Sequence, residues 1–268
     1  MARTNISIAR PDLGAARSAL GAARTNAPVY RMPFLFQEVG VKHGWDFRNG
    51  FTGANGTIIP DIIGDAQLFA SGITEGTFYT SGEYQGTFDN SDHYCFVTGD
   101  SLTQLLTNQF SALVFFNRSA VASNNAIIGV GRGNGSRVWK FNVLSDGAGN
   151  LAVTDDGAIF TTYATNNNVF TVAVGWLGCA ITYDNGTGKI YSWDGTTLTD
   201  EASTGVLDAT TFVTTSSFTI GADYTGAGAA QTFMNGSIGM VLYAPNTAWA
   251  TAAIAPLMRE VNRIGQYI

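Results

Sequence analysis

From Phe34 onward the chain is punctuated at short, regular intervals. Runs rich in Val, Ile, Phe, Tyr and Thr are separated by Gly, Asn and Asp, with almost no stretch of helical periodicity between them. Residues of those types favour the pleated, half-buried surface of a sheet, and the separators favour tight turns. Many short strands in succession demand antiparallel pairing, because parallel strands need long crossovers. Strands are predicted at Phe34–Val39, Gly44–Phe47, Gly76–Tyr79, His93–Val97, Ser111–Asn117, Ala126–Gly131, Val138–Leu144, Asn150–Thr154, Phe160–Tyr163, Phe170–Tyr183, Lys189–Trp193, Phe218–Ala222 and Gly236–Tyr243.

Alternation sharpens several of these. Cys179, Ile181 and Tyr183 fall on one face of a strand, and Ala180, Thr182 and Asp184 on the other. One face is then packed and the other exposed. Asp184-Asn185-Gly186 and Asp194-Gly195 have the chemistry of hairpin turns. Near the end, Pro256–Ile264 places Leu257, Val261 and Ile264 on one helical face, with Pro256 as a start and Gly265 as a stop. The expectation is an all-β, antiparallel jelly-roll sandwich over residues 34–268, with a short C-terminal helix.

Residues 1–33 read differently. Arg recurs every seventh residue, at Arg3, Arg10, Arg17, Arg24 and Arg31. Residues 1–48 carry seven basic against three acidic side chains, and the rest carries seven against seventeen. A basic arm ahead of an acidic domain fits docking onto an acidic surface, either of another copy or of a different protein. On a helix, the seven-residue spacing would align the Arg side chains in one stripe. Only Pro11 to about Arg24 has a helical composition, and its apolar content is too small for a coiled coil. With little aromatic interleaving, the pattern argues against nucleic acid as the partner.

The string Gly175-Trp176, Ala180-Ile181-Thr182-Tyr183-Asp184-Asn185-Gly186, Lys189-Ile190-Tyr191 and Asp194-Gly195 resembles the central hairpin of laminin-G-like, concanavalin A-like domains. Phe218-Thr219-Ile220-Gly221, Phe233 to Ile238 and Val241-Leu242-Tyr243 are similar to the closing strands of that family, and Phe88 to Tyr94 to its opening motif. Leu177 stands where the family has His after Trp. The resemblance spans most of residues 43–264 and implies the concanavalin A-like sandwich.

It also implies two kinds of ligand. Family members bind calcium through Asp, Asn and carbonyl oxygens in rim loops, hard ligands that suit the ion. Asp155 and Asp156 are the metal candidates here, with Asp89, Asn90 and Asp92 as a second cluster. The alternative is that these carboxylates cap their own turns. Glycan binding calls for aromatic platforms with nearby polar groups. Trp139, Trp193, Tyr224 and Trp249 are the candidates, against the alternative that each is core.

Catalysis finds less support. Glucanases of the superfamily carry carboxylates two residues apart on one strand, and none of the five Glu residues here has such a neighbour. His43 and His93 are the only histidines, and neither joins a recognisable Ser, Asp or Cys pattern. Cys95 and Cys179 sit in apolar runs and read as buried thiols, with a disulfide open if their strands adjoin. No apolar stretch approaches the roughly 18 residues needed to span a bilayer, and the N-terminus lacks an apolar signal region.

Only 13% of residues are charged, which suits a surface partly covered in an assembly. The expected role is a non-enzymatic structural protein of a virion, most simply of a bacteriophage, made in the host cytoplasm. It would decorate the head or join the tail, held by its arm to other virion proteins and to copies of itself, with a trimer as the expected state. The alternative is a carbohydrate-binding module of a cell-surface protein.

Overall fold

The computed structural model divides into the units Met1–Arg31 and Met32–Ile268. The residues it describes lie in the second: 34–47, 58–64, 68–71, 86–89, 94–97, 106–119, 124–131, 137–171, 175–211, 217–224 and 230–268. The Arg-repeat arm (Arg3, Arg10, Arg17, Arg24, Arg31), the strand predicted at Gly76–Tyr79 and the positions Asn90 and Asp92 lie outside the described residues.

Two antiparallel sheets face each other. The first comprises β1 (His43–Asp46), β4 (Gly86–Asp89), β6 (Gln109–Arg118), β11 (Trp176–Asp184), β12 (Thr187–Trp193), β13 (Leu198–Asp200) and β18 (Asn235–Pro245). Its order is β1-β18-β6-β11-β12-β13, with β4 also paired to β18. The second, of nine strands, runs β14 (Ser203–Gly205), β10 (Thr161–Thr165), β9 (Gly149–Val153), β8 (Trp139–Val143), β7 (Asn125–Val130), β15 (Phe218–Ile220), β5 (Tyr94–Val97), β3 (Leu68–Ser71), β2 (Ile58–Ile59). A separate ribbon pairs β16 (Ala222–Tyr224) with β17 (Ala230–Phe233). The fold is an all-β, antiparallel jelly-roll sandwich.

The inner core lies between the sheets. Phe110, Ala112, Val114 and Phe116 of β6 meet Leu177, Cys179, Ile181 and Tyr183 of β11 and, from the other sheet, Trp139, Phe141, Leu151 and Val153. Each such large apolar side chain contributes about 1.5–3 kcal/mol by leaving water. The opposite face of β6 and β11 is also buried. Leu113, Phe115 and Ala180 pack with Met240 and Leu242 of β18 under the C-terminal helix α2 (Thr251–Gly265) and near α1 (Phe34–Glu38). Covering both faces explains why these central strands are apolar almost throughout.

One irregularity keeps β18 in phase. Ile238 faces the inner core, and so do Val241 and Tyr243, an odd step that plain alternation forbids. A bulge between Ile238 and Met240 absorbs the extra residue, Gly239. A Cβ on Gly239 would lie 2.1 Å from the Tyr267 ring, so the bulge also makes room for the chain end.

The helix begins earlier than predicted. It starts at Thr251 and takes Pro256 into its interior. Ile254, Leu257, Met258 and Val261 are buried on one stripe, and that packing outweighs the missing proline N–H. Gly265 is the last helical residue, and Gln266 turns left-handed at φ 52°. Asn262 holds this end, its Oδ1 accepting from the Tyr267 and Ile268 amides at 3.1 and 3.0 Å.

The segment predicted as a strand at Phe34–Val39 is instead helical over Phe34–Glu38, with Phe36 turned into the outer core. The hairpin turn at Asn185-Gly186 is as expected, with φ of 46° and 89° at the two central residues. Cys95 and Cys179 sit on different sheets, both buried and free. Burial pushes both thiols up.

Candidate functional site

The four aromatic candidates divide by location. Trp139 is fully buried in the inner core, stacked on Phe110 at 4.5 Å. Trp193 is 2% exposed in the outer core. Neither can present a ring face to a glycan, because the sandwich and the helix use both as packing. Of Tyr224 only the backbone, in β16, is described. Trp249 is 5% exposed, yet it borders solvent space, lining one wall of a cleft of about 320 Å³.

That cleft forms where α2 leaves the outer face of the first sheet. Thr182 and Asp184 of β11, with Thr187, Lys189 and Tyr191 of β12, supply the sheet wall. Ala248, Trp249, Ala250 and Thr251 supply the helix wall. The strand residues sit at every second position, so all point to the face opposite the inner core. The β11–β12 pairing sets Thr182 against Lys189 and Asp184 against Thr187.

Hydrogen bonds fix both walls. Tyr191 Oη and Thr251 Oγ1 are 2.8 Å apart, which joins β12 to the first turn of α2. The Trp249 amide donates to Ser111 Oγ at 2.8 Å, seating that residue on the sheet. Lys189 Nζ donates to Asp200 Oδ2 at 2.6 Å and stands 5.8 Å from the centre of the Tyr191 ring. Its pKa is raised, chiefly by that bond. Asp184 Oδ1 accepts from Gln109 Nε2 at 2.8 Å and Asn185 Nδ2 at 2.7 Å.

The indole N–H of Trp249 is buried and has no acceptor. The α2 N-terminus has no side-chain cap and no acid in its first turn. The cleft lining thus combines one ammonium, one carboxylate and several hydroxyls beside Trp249. It continues past Trp249 into a second hollow of about 330 Å³ lined by Glu38, Val39, Gly40 and Thr247.

Asp155 and Asp156 occupy a turn rather than a calcium cage. Asp156 Oδ1 accepts from Thr154 Oγ1 and from the Ala158 and Ile159 amides, each at 2.8 Å. These bonds, the Ile159 amide foremost, hold its carboxyl below the usual range. The side chain is spent on its own backbone, as in an Asx turn. Among the described residues no three His, Cys, Asp or Glu side chains gather to hold a metal ion. Held in this way, the Asp156 turn does not present the six to eight oxygens that calcium takes.

His43 has a partner that the sequence did not reveal. Its Nδ1 lies 2.7 Å from Asp61 Oδ2, with both side chains buried. Asp61 Oδ1 accepts the amides of Gly44, Ile63 and Gly64 at 2.9–3.0 Å. Asp61 thus staples the 61–64 segment to β1. His43 also stacks on Trp45 at 5.9 Å, so the pair belongs to the packing.

Among the described residues, no helix is long and apolar enough to cross a membrane. No protein-family model and no curated protein sequence matches the chain. Solved structures do resemble it. The binding domain of botulinum neurotoxin serotype C1 superposes with a TM-score of 0.55 at 13% identity, over 84% of this chain and 53% of that one. A structure described as a receptor binding domain gives 0.57 at 13%, over 85% and 53%. The binding domain of botulinum neurotoxin DC in complex with SialylT gives 0.56 at 13%, over 84% and 51%. The chain spans about half the length of these structures, and at such identities the likeness is one of fold: a β-sandwich of the kind found in receptor-binding domains.

Proposed function

We propose that the chain is a non-enzymatic binding module whose sandwich engages a saccharide at the Trp249 cleft. The observation that carries this reading is the cleft's construction. Alternate residues of two paired strands place Thr182, Asp184, Thr187 and Lys189 beside the edge of Trp249. Such a mixture of hydroxyl, carboxylate and ammonium groups on an apolar edge matches the hydroxyls and C–H faces of a sugar ring. Structures of this fold include a neurotoxin binding domain complexed with SialylT and a neurotoxin whose cell entry depends on gangliosides, and they lend the saccharide reading support.

The test is titration of the full chain against a broad set of oligosaccharides. Thr187→Ala combined with Lys189→Ala removes two hydrogen-bonding groups from the cleft. At about 1 kcal/mol or more per lost bond, affinity is expected to fall at least about tenfold. Thermal stability should hold, since both positions are at least partly exposed. A folded wild-type protein that binds no saccharide in the set would sink the reading.

The role of the module in a larger structure rests on residues 1–33. Their Arg repeat and the low overall charge support attachment to a particle, and a bacteriophage virion is the assembly we propose. A chain lacking residues 1–33 is expected to fold but to lose association with particles. Full retention by the shortened chain overturns the anchoring role and leaves the cleft untouched.

A further inference from the structure

The outer face of the nine-stranded sheet carries polar groups that the fold leaves unused. Trp139, Phe141 and Val143 of β8 point into the inner core, so Lys140 and Asn142 point outward. Asn142 lies directly across from Asn150 of β9. Asn142 is 7% exposed, and the amide oxygens of both residues are buried without a hydrogen-bond partner. An orphaned buried oxygen is destabilising, whereas an apolar group of similar shape in its place would be neutral or better. Packing therefore gives no reason for Asn at 142.

The surroundings supply one. Asn142 lines a pocket with Lys140, Phe160, Thr219 and Asp223. Its free volume is about 10 Å³, room for one water or one hydroxyl group. Lys140 Nζ donates to Asp223 Oδ2 at 2.5 Å, tying the β16–β17 ribbon to β8. The same ammonium stands 4.6 Å from the centre of the Phe160 ring, and the Arg137 guanidinium approaches that ring at 5.5 Å. The pocket is thus lined by Asn142, a carboxylate–ammonium pair and an aromatic ring.

We infer that this pocket is a second contact site for a saccharide. One hydroxyl enters and donates to Asn142 Oδ1. Neighbouring hydroxyls reach the Lys140–Asp223 pair, and the sugar edge lies against Phe160. The inference rests on the binding-module reading and not on the Trp249 cleft, which sits on the other sheet.

The experiment follows the Asn142 side-chain amide by NMR in the full chain. The probes are neutral gluco-, manno- and galacto-oligosaccharides. The proteins are wild type, Asn142→Leu, and the Thr187→Ala/Lys189→Ala pair. The amide is expected to shift in the wild type and in the cleft pair. Asn142→Leu should lose one of two binding events, or about tenfold in apparent affinity, with its Tm unchanged or raised. Three results overturn the site: an amide that no probe moves while the cleft still responds, marking a resident water only; Asn142→Leu binding as well as wild type; or Asn142→Leu melting several degrees lower, which would make Asn142 an ordinary packing residue. Silence from every resonance would overturn the saccharide reading together with this site.

Discussion

Replacing Trp139 with alanine is expected to destabilise the protein by about 3–5 kcal/mol, the range for removing a large buried aromatic. Its ring stacks on Phe110 at 4.5 Å, meets Phe218 edge-on at 6.2 Å and lies 5.8 Å from Tyr243. Those partners come from both sheets: Phe110 and Tyr243 from the first, Phe218 from the second. Truncation leaves a cavity at the centre of the sandwich, and close-packed neighbours collapse into it only in part. In a domain of this size each kcal/mol corresponds to roughly 2–4 °C, so Tm should fall by roughly 6–20 °C. Urea unfolding would show a lower midpoint with an unchanged slope. A surface platform behaves in the opposite way, losing ligand while keeping its midpoint. A midpoint within experimental error of wild type would mean that the ring does not sit where the structure places it.

Most of the architecture was legible because its cause is local. Strands such as Gln109–Arg118 and Trp176–Asp184 announce themselves through dense Phe, Val and Ile, and their hairpins through Asn-Gly and Asp-Gly. Succession accounts for pairs such as β7–β8, β8–β9 and β11–β12, but not for the crossovers that set β6 between β18 and β11. Short edge elements such as Leu198–Asp200 and Ser203–Gly205 were not legible. They carry Thr, Ser and Asp on mostly exposed backbone, and only a neighbouring strand makes them strands. Phe34–Glu38 departs from the strand expectation for a related reason. Phe-Leu-Phe suits either element, and contact with the outer core selects helix.

The candidate site was half legible. Thr182 and Asp184 stood out as the polar side of an alternating strand; Asp184 stays exposed, while Thr182, 6% exposed, lies at the floor of the cleft. The helix that turns the face into a cleft sits nearly seventy residues later in the chain. The aromatic candidates were ambiguous for a plain physical reason. Trp139, Trp193 and Trp249 are chemically alike, and only tertiary packing decides which one meets solvent. Asn142 and Asn150 gave no signal at all. An Asn in a strand usually marks a solvated face, and its lack of a partner exists only once the sheet and the ribbon are in place.

Gly236→Ala should be nearly as damaging as the loss of Trp139, although it adds a single methyl group. Gly236 has φ +146°, a backbone region that L residues rarely adopt. A Cβ there would lie 2.0 Å from the Asn117 carbonyl oxygen and 3.0 Å from Arg118 Cα. Both obstacles are backbone, so no rotamer change can relieve them. Gly236 also sits where three strands meet, paired with Arg118 of β6 and Phe88 of β4. Relief requires one pairing to open. Backbone strain of about 1–3 kcal/mol then adds to one or two lost ladder bonds of about 1 kcal/mol each. The expected cost is roughly 2–5 kcal/mol by urea unfolding. Gly175→Ala is the internal control. Gly175 has φ +78° but no atom within 4 Å of the added methyl, so only left-handed strain of about 1–2 kcal/mol applies. If the two variants unfold at the same midpoint, the β18–β6 register at Gly236 is wrong.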